Sequence, residues 1–210
     1  MGCLTPRAFR EGTRDPPRCP RHQMWTLFLA CLTPEPSAAS TPLIAPAPSA
    51  PELAGHPALV DAARQYLGRP YRFGGRGEQL DCMGLVFLAW QSAERGPWRR
   101  LSVNPTELVS RQQLGTPVSG LDPAPSGAID VALFAPGDVL FFLGWDENPN
   151  EPALSTIGGL PAWTWHMGLY SGRGRFIVGD HYARKVVEEP LLAYLGQHLE
   201  YVGLYVVRPS

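Results

Sequence analysis

The stretch "LDCMGLVFLAW", residues 80–90, decides how the rest of the chain is read. Asp81 is a good helix N-cap, because its carboxylate can accept the free N–H groups of a first turn. From Cys82 to Trp90 the residues are apolar on nearly every side. A helix that is apolar all round is buried. The stretch therefore predicts a central helix over 82–95 with Cys82 in its first turn. A thiol attacks only as thiolate, and a helix N-terminus favours the anion through its unpaired N–H groups and dipole. The same N–H groups could hold the oxyanion of a tetrahedral intermediate. The competing reading is a packed core thiol, since free Cys is among the most buried residue types.

Working outward, "PALVDAARQYL" (57–67) reads as a helix with Pro57 at its first position and Gly68 as its stop. "GRPYRFGGRGEQ" (68–79) is loop, too rich in Gly and Pro for regular structure. "NPTELVSRQQLG" (104–115) reads as a helix capped by Asn104, with Pro105 at N1 and Glu107 at N3. The pattern then changes. "DVLFFL" (138–143), "HMGLYS" (166–171), "GRFIVG" (174–179), "RKVVEE" (184–189) and "YVGLYVV" (201–207) are strand candidates separated by turn residues. "PLLAYLGQHL" (190–199) is a short helix. Helices followed by a strand meander give an α+β fold rather than a parallel βαβ series.

Net charge is −1, from 18 Lys and Arg against 19 Asp and Glu. No basic surface argues for nucleic acid. The four cysteines are Cys3, Cys19, Cys31 and Cys82, so the expected domain holds one thiol and no internal disulfide. No Cys/His pair has zinc-finger spacing, and neither a metal nor a cofactor is expected. No apolar run approaches the ~18–20 residues of a membrane helix.

The first part of the chain reads differently. Residues 1–31 are expected to be a leader: "RHQMWTLFLAC" (21–31) sets a basic pair before a short apolar run, as secretory signals do. "FLAC" is near the bacterial lipoprotein box, which makes Cys31 a candidate for lipidation and membrane attachment, although Phe28 and Leu29 are bulkier than that pattern prefers. Residues 32–56 are a Pro/Ala/Ser-rich tether. The folded domain is expected over 57–210, as a monomer, in the periplasm or cell envelope.

A thiolate needs a base, usually His, held by a third polar group. The candidates are His56, His166, His181 and His198. Spacing alone does not single out His166.

Three blocks in order do so by resemblance. "YLGRPYRFGG…LDCMGLVFLAW", "PGDVLFF" (136–142) and "HMGLYSGRGRFI" (166–177) resemble the signature blocks of the NlpC family, bacterial cell-wall peptidases with a papain-like fold. The resemblance covers about residues 57–208. It implies a central helix bearing the Cys, packed on an antiparallel sheet of about five to six strands. It implies Cys82 as nucleophile and His166 as base, with the Cys82 N–H at the oxyanion. The implied reaction is cleavage of an amide in peptidoglycan stem peptides through an acyl-enzyme. Tyr71 and Asp81 match substrate-site positions; Asp81 is also simply a cap, and Tyr71 a loop anchor.

The chain departs from the pattern in three places. The third polar residue should fall at Val178, which cannot orient an imidazole. Asp180 faces the same side of a strand, and His181 would come in through a bulge at Gly179; the remaining alternative is that no third residue exists. Met83 stands where the family commonly has Ser, which puts the usual muropeptide preference in doubt. Residues 143–165 form a long loop insertion that ends in Trp163 and Trp165, as substrate-stacking aromatics or as pins for the loop. A smaller insertion spans 116–135. Two other functions stay open: amide or acyl-transfer chemistry on a non-muropeptide substrate, and a catalytically inactive wall-binding module.

Overall fold

The computed structural model describes residues 55–210. The leader with Cys31, and the tether up to residue 54, lie outside the described residues.

Helix α1 (Pro57–Arg64) buries Leu59, Val60, Ala62 and Ala63. It stops short of residue 67 because the chain tightens there: Tyr66 N–H donates to Ala63 O and Leu67 N–H to Arg64 O. Such i→i+3 bonds commonly close a last turn. Helix α2 (Cys82–Ser92) starts where Asp81 caps it, its Oδ1 accepting from Gly84 N–H at 2.6 Å. Leu85, Val86, Phe87 and Ala89 are all fully buried, as an all-round apolar helix requires. Helix α3 (Pro105–Ser110) has the expected cap, Asn104 Oδ1 accepting from Glu107 N–H at 3.2 Å, but ends earlier than the sequence suggests. Helix α4 (Leu191–Gln197) follows Pro190.

The strands are β1 (Thr116–Pro117), β2 (Ala124–Pro125), β3 (Val139–Gly144), β4 (Ser155–Ile157), β5 (Leu160–Gly172), β6 (Arg175–Asp180), β7 (Lys185–Pro190) and β8 (Gly203–Arg208). Six of them run antiparallel in the order β1-β8-β3-β5-β6-β7. Two short strands, β2 on β8 and β4 on β5, bring the sheet to eight, beyond the five or six expected.

Both faces of the sheet are covered, which explains why "VLFFL" does not alternate. Val139 and Phe141 join Met167, Leu169 and Ile177 under α1 and α2. Leu140 and Phe142 join Tyr170, Phe176 and Val178 on the other face, with Leu191 and Tyr194 of α4. The 116–135 segment completes that second face with Val118, Leu121, Ala124 and Phe134. Truncating one of these large core side chains, such as Phe87, to Ala would cost ~3–5 kcal/mol.

The 143–165 segment is not all loop. Ser155–Ile157 pairs with Leu160–Ala162, so the insertion ends in a β-hairpin that runs directly into β5. Its turn is Gly158-Gly159, with φ of +60° and +81°. Two positive φ values in a two-residue hairpin turn are what glycine supplies without strain.

Candidate active site

The first turn of α2 and the middle of β5 carry the two reactive candidates. Cys82 and His166 line one cavity of about 380 Å³, together with Asp81, Met83, Thr164, Trp165 and Met167. Cys82 is a free thiol and is half-buried. His166 is buried and packs in an aromatic nest, with ring centroids 5.6 Å from Phe142, 5.8 Å from Tyr201 and 6.3 Å from Tyr194. Its Nε2 is buried and makes no hydrogen bond.

A β-bulge sets the direction of His166. Phe142 pairs with His166, but Leu143 pairs with Thr164, leaving Trp165 as an extra residue on β5. Bulges re-aim side chains and recur beside active sites. Here the bulge turns Trp165 outward, half exposed, while His166 stays inside. The bulge at Gly179, weighed from the sequence as one alternative, is absent from the β6–β7 pairing, which stays in register through Gly179; the bulge at Trp165 carries no local signal, because it depends on pairing across to β3.

Electrostatics corrects one expectation. The helix N-terminus was expected to lower the Cys82 pKa, yet burial pushes the thiol up to about 12, helped by the Asp81 carboxylate beside it. Backbone hydrogen bonding from Met167 and Met83 and the charge of Arg76 oppose the shift without overcoming it. The charged form loses more from desolvation than a helix end returns. Burial also lowers His166 to about 3, with the fields of His181 and His198 adding to it. The resting pair is a neutral thiol and a neutral imidazole.

Asp81 is a structural hub. Oδ1 accepts from Gly84 N–H and from Arg76 Nη1, and Oδ2 accepts from Gly74 N–H at 2.8 Å. It thus caps α2, ties down the 68–79 loop and also borders the cavity. Tyr71 does not line that cavity. Its backbone N–H donates to Arg184 O, and its ring lies 6.2 Å from His181. Burial, then the fields of Cys82, Asp81 and Asp180, raise its phenol to about 12.

Among the described residues, no side chain hydrogen-bonds Nε2 of His166. Val178 is buried among Phe176 and Tyr194, at the place where a polar partner was sought. Asp180, expected to orient His166, makes no hydrogen bond to it; its Oδ1 accepts from Tyr182 N–H at 2.6 Å and shapes the β6–β7 turn. The His181 ring lies edge-on to it, with ring centroids 6.1 Å apart.

The two insertion tryptophans behave differently. Trp163 Nε1 donates to Glu151 O at 3.2 Å and Trp165 Nε1 donates to Asp146 O at 2.8 Å, so both pin the insertion. Only Trp165 borders the cavity. Sequence reasoning missed Glu151, which also lines it; no motif surrounds that residue. It missed the hairpin as well, although "STIGGLPAW" carries the Gly-Gly turn signal. Among the described residues, no group of three or more His, Cys, Asp or Glu is placed to hold a metal ion.

No protein-family model and no curated protein sequence matches the chain. Solved structures do match. An N-acetylmuramoyl-L-alanine amidase from Bacteroides uniformis is similar at 12% identity over 74% of this chain and 99% of that one, with a TM-score of 0.55. The NlpC/p60 domain of the peptidoglycan hydrolase SagA is similar at 19% identity over 73% and 98%, with a TM-score of 0.44. NlpC1 from Trichomonas vaginalis is similar at 18% identity and a TM-score of 0.47, over 73% of this chain but only 44% of that protein's length. Identities this low speak to fold alone, and the amidase carries the comparison. The described domain has an α+β fold similar to that of the amidase.

Proposed function

We propose that the chain is a cysteine hydrolase of the NlpC type that cleaves an amide bond in peptidoglycan stem peptides in the cell envelope. The observation that supports it is the shared cavity of Cys82 and His166, at the start of α2 and beside a bulge in β5. The similar amidase and NlpC/p60 hydrolase structures point to the same substrate class. Envelope location rests on the leader-like "RHQMWTLFLAC", with Cys31 as the site for lipid attachment.

In this reading the neutral pair works by general-base catalysis rather than as a preformed ion pair. Cys82 Sγ adds to the amide carbonyl carbon while its proton passes to the His166 imidazole. A pKa near 3 leaves the imidazole unprotonated at neutral pH but makes it a weak base, so in this reading substrate binding must raise its basicity before it takes the proton. The tetrahedral oxyanion is held by the N–H of Cys82, an unpaired amide at the helix start. The C–N bond breaks, and the imidazolium returns the proton to the leaving amine. Water then adds to the thioester with His166 again as base, releasing the acid and the thiol. Asp180 and His181 are the candidates to steady the ring, and a shift of either onto Nε2 would accompany substrate binding. Asp81 and Trp165 are the substrate contacts in this reading; Trp163 acts by holding the insertion, and Tyr71, off the cavity, anchors its loop through its backbone N–H to Arg184 O.

One observation favours a second reading, an inactive wall-binding module: among the described residues, no side chain hydrogen-bonds Nε2 of His166. Incubation of purified stem peptides with the parent protein and Cys82→Ala, followed by mass spectrometry of the products, separates the two. The expected result is cleavage by the parent and a loss of more than about 10³-fold in the variant. Cleavage by both sinks the cysteine mechanism. Cleavage by neither, with both proteins sedimenting with peptidoglycan sacculi, replaces it with the binding reading.

A further inference from the structure

The polar side chains around Cys82 and His166 are already committed within the protein. Both oxygens of Asp81 accept, Oδ1 from Gly84 N–H and Arg76 Nη1, Oδ2 from Gly74 N–H. Arg76 Nη1 also donates to Gly75 O at 2.8 Å, and its guanidinium lies over the Phe87 ring, 5.5 Å from the centroid. Asn148 donates Nδ2 to Glu151 Oε1 at 2.9 Å and accepts the Asn150 N–H on Oδ1 at 3.1 Å. The other Glu151 oxygen is buried, with the Thr106 backbone beside it. Thr164 Oγ1 is buried as well. The Asp81 and Arg76 charges therefore answer each other inside the wall.

The apolar side chains of the same wall are bare. Phe73 is 88% exposed and Val103 69%, and Trp165 is half exposed. Met83 and Pro105 are only partly covered. A single exposed apolar residue needs no explanation. These come from separate segments, namely the 68–79 loop, the first turn of α2, the approach to α3 and β5, yet they line one cavity of about 380 Å³. A concave apolar lining of that size is what small-ligand sites have. Met83, at the position where the NlpC pattern has Ser, adds a side chain that adapts its shape to what it covers.

We infer that this cavity is a specificity pocket for an uncharged aliphatic group on the residue beside the scissile amide, held by Phe73, Met83, Val103 and Met167. The inference rests on the proposed substrate cavity and narrows it: of the amides in stem peptides, the chain takes those flanked by an apolar side group and disfavours those flanked by an acidic or basic one. A charge entering the cavity would lose its water and meet groups that are already paired. An aliphatic group would instead cover apolar surface that is bare in the free protein.

Titration of 1-propanol, 1-butanol and 1-pentanol into the full chain, read from the methyl NMR signals of Met83 and Met167, tests it. Pentanoate and n-pentylammonium serve as charged probes of equal length. Affinity is expected to rise about fourfold per added methylene, and 1-pentanol should bind at least about tenfold more tightly than either ion. Met83→Ser should weaken 1-pentanol by at least about threefold. Phe73→Ser, at an exposed loop residue, should weaken it with an unchanged melting temperature. No methyl shifts with any probe, an affinity independent of chain length, an ion bound as tightly as the alcohol, or both variants binding like the parent would each overturn it. The probe series in the parent is decisive if Met83→Ser fails to fold. Chain-length dependence without stem-peptide cleavage would sink the hydrolase reading only, and cleavage without that dependence would sink this inference only.

Discussion

Gly179 of β6 lies directly against the peptide that joins Asp81 to Cys82. A Cβ built on Gly179 would stand 2.7 Å from Asp81 O and 3.1 Å from Cys82 N. Both distances are too short for ordinary contact, and the clash is with backbone rather than with a flexible side chain. The helix start can approach the sheet this closely because that strand position has no side chain.

Gly179→Ala is therefore expected to push the first turn of α2 away from β6. Stability should drop by about 1–3 kcal/mol, as for overpacking in a tight interior. Turnover should fall by more than about tenfold, because small misplacements of a reacting group are costly. Thermal melts and stem-peptide kinetics, taken together, check it. A variant with a lowered melting temperature and unchanged turnover would show that helix placement is not limiting.

His166 should make the fold acid-sensitive. Its pKa is about 3 in the folded chain against an ordinary 6.5. Below pH 6.5 the unfolded chain binds a proton that the folded chain refuses, so stability falls as pH drops from about 6.5 toward 3. The slope from this one group approaches about 1.4 kcal/mol per pH unit. Urea titrations between pH 7 and 4 should show the decline in the parent and a shallower one in His166→Phe. Equal slopes would mean that the imidazole is not desolvated as described.

The Asp138–Arg208 pair should be a main structural tie. Asp138 is fully buried; its Oδ1 and Oδ2 accept from Arg208 Nε and Nη2, each at 2.8 Å, and Oδ2 also accepts from Ala135 N–H at 2.8 Å. Asp138→Ala strands a cation and a buried amide, and should cost ~3–5 kcal/mol. Joint replacement with Arg208→Met should recover part of that loss. Denaturant unfolding of the two variants measures it; additive losses would show that the pair is not coupled.

The legible parts of this fold were those with local causes. Asp81 before an unbroken apolar run gave α2 and the position of Cys82, and the apolar "VLFFL" gave β3. His166 stood out only through resemblance, since a lone His beside Trp carries no local mark. The bulge at Trp165 was hidden because it depends on what β3 offers across the sheet. The thiol's pKa was misjudged for a similar reason: helix position is local, while desolvation comes from distant chain. Asp138 and Arg208 lie 70 residues apart, so nothing in "PGD" announced its partner. Glu151 could not be found, because an insertion has no pattern to compare it with.

Strand β5 runs unbroken from Leu160 to Gly172, so the insertion hairpin, Trp165 and His166 sit on one length of backbone. The hairpin pairing ends at Ala162 and His166 follows four residues on, with the bulge at Trp165 between them. If His166 is the base, a substrate held by the insertion and the ring that acts on it share one continuous strand, so the rim and the chemistry are built from the same piece of backbone.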